Sequence, residues 1–588
     1  MAGGTDTTRS LTRRGLLGSA AAAGAAGALA RPGRAHAARR DGRSVAVLGG
    51  GIGGLSAAHE LVERGFRVTV YEHGALGGKA RSIPVPGSGS GGRRDLPGEH
   101  GYRFFPGFYR HLPDTMRRIP FGKNAEGVFE NLVEASQAGF ARNGGREDLI
   151  IPLAVHPWTP QEAAQAVVAG FAQISNVPPE ESAYFGRKLS VFMSSSDERR
   201  LGEWERQSWW NFVGADRFSD EYKRFFGAGI ARNFAAAKPE SASARTIGLM
   251  AEQIVYQNAM KPRGEYQGAD RVLNGPTSEA WLDPWVAELR RRGVTFKLRR
   301  RVMGLDVRKG KIAGVRLRGP RGDEVARADW YFCALPVEQA RKLWSPAVLA
   351  ADPRLAGTGS LVTDWMTGIQ FYLDRELPIL HGHVSYVDSP WALTSISQQQ
   401  FWTHDFAKDG DGRVRDCLSV VISDWHTPGI LYGKPARELR PEQIAEEVWA
   451  QIKGHLNDTG RDALPDGARK SWFLDPAIGY RPGDRVRARN ATPLLINTVE
   501  TWAKRPDSVT GIHNLFLASD YPQTNTDIAC MESANESARR AVNGLLARAG
   551  SQVDPCAIFK LWQPPEFEPA KQLDAERYAR GEPNLLDL

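Results

Sequence analysis

Gly49, Gly51 and Gly54 stand in the spacing G-x-G-x-x-G, with Gly53 between them, and an acid, Glu72, follows eighteen residues after Gly54. Such glycines make no bonds themselves. They clear side chains from a place where an anion must meet the backbone. Gly49 lets the chain turn tightly, Gly51 lets a pyrophosphate approach the main chain, and Gly54 lets a helix pack closely on a strand. Glu72 stands where an acid accepts from a ribose hydroxyl. The elements that must hold these residues are legible around them. Val45 to Leu48 is an apolar run suited to a buried parallel strand. Leu55, Ala58 and Leu61 recur at helical spacing, Gly65 stops the helix, and Val68 and Val70 alternate as a second strand. The free N–H groups and positive end of that helix would face the phosphates. Strand, glycines, helix, strand and acid in this order predict a dinucleotide site.

Gly77, Gly78, Lys79 and Arg81 follow in "GGKARS", a second glycine turn with cations close behind the acid. This resembles the GG-[RK] extension of the FAD-binding amine oxidase and phytoene desaturase superfamily, and the resemblance implies FAD rather than NAD. A closing stretch, "NLFLASDYPQTNTDIACMESANESARRAVNGLL" (514–546), reads as a buried strand, a turn and a helix from about Asp527 with Ala534, Ala538 and Ala541 on a tight face. It resembles the superfamily's second FAD motif. By that resemblance Asp520 approaches the ribityl or phosphate hydroxyls. The helix start from Ile528 to Met531 then faces the flavin N1/O2 edge, where its dipole stabilises the reduced anion. Ser519 stands where the superfamily usually has glycine. "GPTSEAWLDPWVAELRRRG" (275–293) followed by Val302 resembles the desaturase run in which Val302 would contact adenine through its backbone. "EHGYRFFPGFY" (99–109) resembles the segment beside the flavin, with altered spacing around His100. Ala280 stands where many desaturases carry arginine.

The resemblance spans about residues 44–546 and implies an α/β flavoprotein of two domains. The Rossmann-type FAD-binding domain is expected from the discontinuous segments 38–115, 271–340 and 493–550. The substrate domain, of mixed helix and sheet, is expected from 116–270, mostly helical, and 341–492. Residues 1–37 read as a signal and 551–588 as a C-terminal tail. In the signal, Arg13 and Arg14 precede fifteen uncharged residues from Leu16 to Ala30, and Ala35-His36-Ala37 is an A-x-A cleavage site. This resembles a twin-arginine signal, implying use of that export machinery and an exported protein. The apolar run is short and alanine-rich for a membrane span.

Composition is that of a globular protein, 41% hydrophobic and 24% charged over 588 residues. The net charge of +9 is mild for this length and does not argue for nucleic acid. Cys333, Cys417, Cys530 and Cys556 are scattered without a C-x-x-C pair, so neither a zinc site nor a redox dithiol is suggested. Cys530 lies within the closing motif, where covalent flavin attachment is one alternative.

Flavin chemistry on a C–H bond needs little from side chains, so the lack of a Ser/His/Asp triad is no objection. His100 is the candidate acid/base or flavin-edge residue. Tyr102, Phe104, Phe105, Phe108 and Tyr109 are expected pocket walls, and Trp204, Trp209, Trp210, Trp365, Trp391 and Trp402 suggest an aromatic substrate half. The expected substrate is a small apolar molecule of isoprenoid or polyene type, oxidised or isomerised, with uptake at a membrane surface. An exported amine or amino-acid oxidase releasing peroxide is the alternative; the aromatic cage with a lysine near N5 that would mark it is not found. A flavin-binding protein without turnover is the third reading.

Overall fold

A computed structural model describes residues 42–153, 176–235, 237–257, 268–481 and 483–587. Arg13, Arg14 and the A-x-A site lie outside the described residues, as does part of the stretch expected to be helical.

Five parallel strands form the central sheet, in the order Thr295–Lys297, Arg67–Tyr71, Ser44–Leu48, Trp330–Cys333, Leu515–Leu517. The apolar run Val45–Leu48 sits in the middle because both its faces are covered, and all four residues are buried. Gly49 N–H donates to Tyr71 O (2.8 Å), ending the first strand and starting the turn, with Gly49 at φ +108°. The helix Ile52–Glu63 then buries Leu55, Ala58 and Leu61 against the sheet. Each leucine so buried contributes roughly 1.5–3 kcal/mol. At its end Gly65 adopts φ +85° and Phe66 N–H returns to Leu61 O (3.1 Å), closing the helix. The helix Met531–Ala549 lies against this first helix, with Ala538 and Ala541 fully buried at the contact. Trp281 and Trp285 stack at 5.9 Å in the same core. Trp285 Nε1 donates to His59 Nδ1 (2.9 Å), which leaves His59 Nε2–H to donate to Glu63 (3.1 Å).

A second, seven-stranded sheet runs in the order Arg469–Leu474, Thr367–Leu373, Asp416–Ile422, Leu393–Ser397, Gly382–Tyr386, Gln137–Ala141, Leu149–Pro152. Its pairs are antiparallel except Gly382–Tyr386 with Gln137–Ala141. Within the segment expected to be mostly helical there are thus three strands, Leu132–Glu134, Gln137–Ala141 and Leu149–Pro152, of which the last two extend this sheet. The helix Pro441–Leu456 covers the sheet with Ile444, Val448 and Ile452. Helices Pro179–Ser194 and Ala244–Val255 build a separate apolar core around Phe185, Trp209, Phe226 and Ile247.

The C-terminal residues are docked onto both halves. Cys556 is buried in the core beneath the central sheet, and Phe559 N–H donates to His111 Nε2 (2.9 Å). Helix Glu568–Ala579 lies on the helical region, where Asp574 accepts from Arg199 Nε (2.9 Å) and from Ser196 N–H (2.8 Å). Lys188 pairs with Asp587 at 2.8 Å. Arg199 and Asp574 are both 2% exposed. Removing the Asp574 carboxylate leaves Arg199 paired with Glu203 alone and takes the buried acceptor from Ser196 N–H and Asn584 Nδ2, which costs on the order of 1–3 kcal/mol. Asp574→Ala is therefore expected to lower the denaturant midpoint of unfolding followed by tryptophan fluorescence; an unchanged midpoint would show that this segment does not hold the halves together.

Candidate functional site

One continuous cavity of about 1610 Å³ runs between the central sheet and the seven-stranded sheet. Gly49, Gly51, Gly53, Glu72, Gly78, Lys79, Arg81, His100, Val302, Asp520 and Met531 all line it. Gly54 does not. A Cβ there would stand 2.0 Å from Gly49 O, so this glycine serves close packing under the loop. Gly53 is equally constrained: its Cβ would stand 1.9 Å from Ala518 O, in the strand end of the closing motif. At Gly51 the nearest atom to such a Cβ is Gly78 Cα at 3.8 Å, so the protein itself leaves space there.

Glu72 Oε2 accepts from Gly50 N–H (2.8 Å) and Oε1 from Gly74 N–H (2.7 Å). The carboxylate thus clamps the glycine loop; Oε1 also meets His73 Nδ1 (2.9 Å), and Oε2 keeps a second acceptor position for a ribose hydroxyl. Lys79 is not a free cation. Its Nζ donates to Pro493 O and lies 3.4 Å from Glu338, tying the second glycine turn to two distant segments. Arg81 NH1 donates to Gly78 O (2.6 Å). Ser519, in the place of the superfamily glycine, donates through Oγ to Asp520 Oδ1 (3.2 Å) and so orients that carboxylate.

The helix of the closing motif starts at Met531, four residues later than the sequence suggests. Asp527 causes the delay. It sits at φ +55°, its carboxylate accepting from Arg245 NH1 (2.6 Å), Thr246 Oγ1 (2.8 Å) and Arg505 NH1, which bends the chain out of helical geometry. Cys530 caps the helix, its sulfur accepting from Ser533 N–H at 3.4 Å. Burial raises this thiol's pKa, so it is held protonated and is a poor nucleophile for covalent flavin attachment. All four cysteines are free. Ile528, Ala529, Cys530 and Met531 face the cavity together at the positive end of the helix.

His100 lies in the wall, its Nδ1 against Asp475 Oδ2. Burial lowers the imidazole pKa, and the Asp475 carboxylate opposes that shift without cancelling it. The neutral ring with Nδ1–H toward Asp475 leaves Nε2 as a base. Sequence reasoning missed Asp475, although an acid ahead of Pro476 at the end of the strand Arg469–Leu474 is a turn signal. It also missed His383, which lines the cavity and meets Tyr102 OH at 2.6 Å. Burial depresses the His383 pKa to about 4, so this ring too is neutral.

Beyond His100 the walls turn apolar: Phe104, Phe140, Leu189, Phe225, Phe226, Ile247, Met250 and Ile254. The aromatic expectation needs correction here. Tyr102, Phe104, Phe108 and Tyr109 line the cavity, but Phe105 faces Trp281 in the core. None of the six tryptophans is among the lining residues. Trp209 and Trp391 are fully buried and donate Nε1 to Phe226 O and Thr427 O. Among the described residues the only lysines lining the cavity are Lys79 and Lys342, and no group of His, Cys, Asp or Glu could hold a metal ion.

The donor set fits FAD. Glu72 would hold the adenosine ribose, Val302 the adenine, the N–H groups above Gly51 the diphosphate, Asp520 the ribityl chain, and residues 528–531 the flavin edge. The volume exceeds the ~300–1000 Å³ of a pocket for one drug-sized ligand, leaving space for a second molecule.

The family described as flavin containing amine oxidoreductase matches residues 52–546. A carotenoid phi-ring synthase from Streptomyces griseus is 38% identical over 532 residues, covering 86% of this chain and 88% of its own. A 15-cis-phytoene desaturase from Synechococcus elongatus is 22% identical over 522 residues, covering 86% and 96%. Among solved structures, a putrescine oxidase superposes with a TM-score of 0.55 at 14% identity, covering 86% of this chain and 99% of its own. Cyclohexylamine oxidase from Brevibacterium oxydans gives 0.54 at 13%, covering 87% and 99%. These two share the fold. Removing the Glu72 carboxylate loses charge-assisted hydrogen bonds of about 1.5–3 kcal/mol each. Glu72→Ala is therefore expected to weaken FAD retention at least tenfold, read from the flavin-to-protein absorbance ratio after dialysis; an unchanged ratio would remove Glu72 from the site.

Proposed function

The chain belongs to the flavin-containing amine oxidoreductase family and is an FAD-dependent oxidoreductase, and from that premise we propose that it dehydrogenates a carotenoid-type polyene. The observation that carries this reading is the second half of the cavity, walled by phenylalanine, leucine, isoleucine and methionine, with no lysine lining it among the described residues. A long hydrocarbon gains about 0.8 kcal/mol per buried methylene in such a space without any charged anchor. The 38% identical relative, a carotenoid phi-ring synthase, supports the substrate class.

Bound FAD supplies an acceptor for a hydride leaving a substrate carbon. The proton on the neighbouring carbon goes to His100 Nε2, and the carbon–carbon single bond becomes double. Asp475 holds the ring in the tautomer that leaves Nε2 open and stabilises the imidazolium that forms. Phe104 and the apolar wall exclude water from the reacting carbons. Because burial lowers the His100 pKa, the base is free at neutral pH. The rate of flavin reduction should be flat from neutral pH upward and fall only on acidification below the ordinary imidazole range.

Anaerobic mixing of the holoprotein with carotenoids and with primary amines tests the reading. Carotenoids should bleach the flavin absorbance. A general base contributes about 10²–10⁴-fold, so His100→Ala should slow bleaching at least a hundredfold while half-saturation moves a few-fold. Rapid bleaching by an amine, with peroxide on admitting air, would replace this reading with the oxidase alternative; altered carotenoid geometry without bleaching would replace it with isomerisation.

A further inference from the structure

Residues 297–327 hold eleven lysines and arginines against three acids, so these 31 residues carry a net +8 of the whole chain's +9. They fold mainly as a three-stranded antiparallel sheet, Arg301–Arg308, Lys311–Gly319 and Gly322–Ala326. One face is core: Leu305 pairs with Val315, which pairs with Ala326, and all three are buried. The other face is exposed and basic. Arg301 stands opposite Arg318, and Arg308 opposite Lys311. Like charges directly across a strand pair are destabilising, so this arrangement calls for a negative partner. The three acids provide it only in part: Asp323 pairs with Arg318 (2.7 Å), Asp306 with Arg316 (3.1 Å) and Glu324 with Arg300 (2.6 Å), and none pairs with Arg308 or Lys311. Arg308, Lys309, Lys311 and Arg321 remain exposed, without an ion pair among the described residues. Two apolar side chains sit among them. Val325 is 45% exposed beside Arg316, and Met303 is 43% exposed at the bulge after Val302.

We propose that this face docks the protein on an anionic lipid surface. Long, unpaired cations suit the smeared charge of lipid headgroups, which attract each basic side chain within a Debye length. Exposed Met303 and Val325 add the apolar contact that an interface with acyl chains rewards and a soluble acidic protein does not require. The assignment stands independently of the substrate reading, although an apolar substrate would be found in the same lipid phase.

Sedimentation of the holoprotein with vesicles tests it. Vesicles of phosphatidylcholine with one third phosphatidylglycerol are compared with phosphatidylcholine alone. Anionic vesicles should bind at least tenfold more tightly, and 0.5 M salt should abolish the difference. The combined variant R308Q/K309Q/K311Q/R321Q should bring binding to within about twofold of that to neutral vesicles. Val325→Ser, away from the cavity that Met303 also lines, should weaken vesicle binding at least twofold but leave retention on heparin unchanged. The flavin spectrum of each variant checks that it is folded. Equal binding to both vesicle types, or full anionic binding by the four-site variant, would overturn the proposal. Retention on heparin or polyglutamate with no vesicle binding would also overturn it, in favour of a soluble acidic partner.

Discussion

The site depends on one close approach: the start of the helix Ile52–Glu63 against the strand end at Ala518, where Gly53 can carry no side chain. The two segments lie some 465 residues apart in the chain, and their contact brings two helix N-termini to one cavity. One would serve the diphosphate and the other the flavin edge. Further contacts lock the crossing. Asn535 Nδ2 donates to Ser56 Oγ at 2.9 Å and to Thr115 Oγ1 at 3.0 Å, joining three segments at one side chain. Glu532 accepts from the N–H groups of Arg110 (2.8 Å), His111 (2.6 Å) and Leu112 (2.9 Å) as well as from the His111 ring (2.8 Å). Burial works against this charge, yet those four donors hold the Glu532 carboxyl below its usual range.

The substrate half follows a different logic. Its two cavity-lining histidines are held neutral. His383 is held uncharged by burial and occupied by Tyr102, which in turn donates to Thr394 (2.6 Å). His100 is paired with Asp475. An ionised group in this space would demand water or a counter-ion. Holding the imidazoles neutral takes two charges out of this space and leaves His100 Nε2 open.

The cofactor half is legible in the sequence because its constraints are local. Gly49, Gly51 and Gly54 act within one turn, Glu72 closes back on Gly50 within the same unit, and Asp520 ends a strand just before its helix. Residues whose roles are fixed over long distances are not legible. Asp475 matters only because folding sets it beside His100, and Asp527 delays the last helix only because Arg245 and Arg505 arrive from elsewhere. The tryptophans mislead for a related reason. Composition counts them but not where they stand, and large rings with an indole N–H that finds a backbone carbonyl, as Trp209 does at Phe226, serve as core.

The central claim is that the cofactor's diphosphate lies over the backbone of Gly51, in space the protein leaves open. Gly51 has φ −79° and ψ −171°, which alanine adopts without strain, and a Cβ there meets no protein atom closer than 3.8 Å. The most direct measurement is the FAD affinity of Gly51→Ala, by titration of flavin into the apoprotein, with circular dichroism to report the fold. The account predicts a native dichroism spectrum and affinity reduced at least tenfold. A folded Gly51→Ala protein that binds FAD as tightly as the wild type would contradict it.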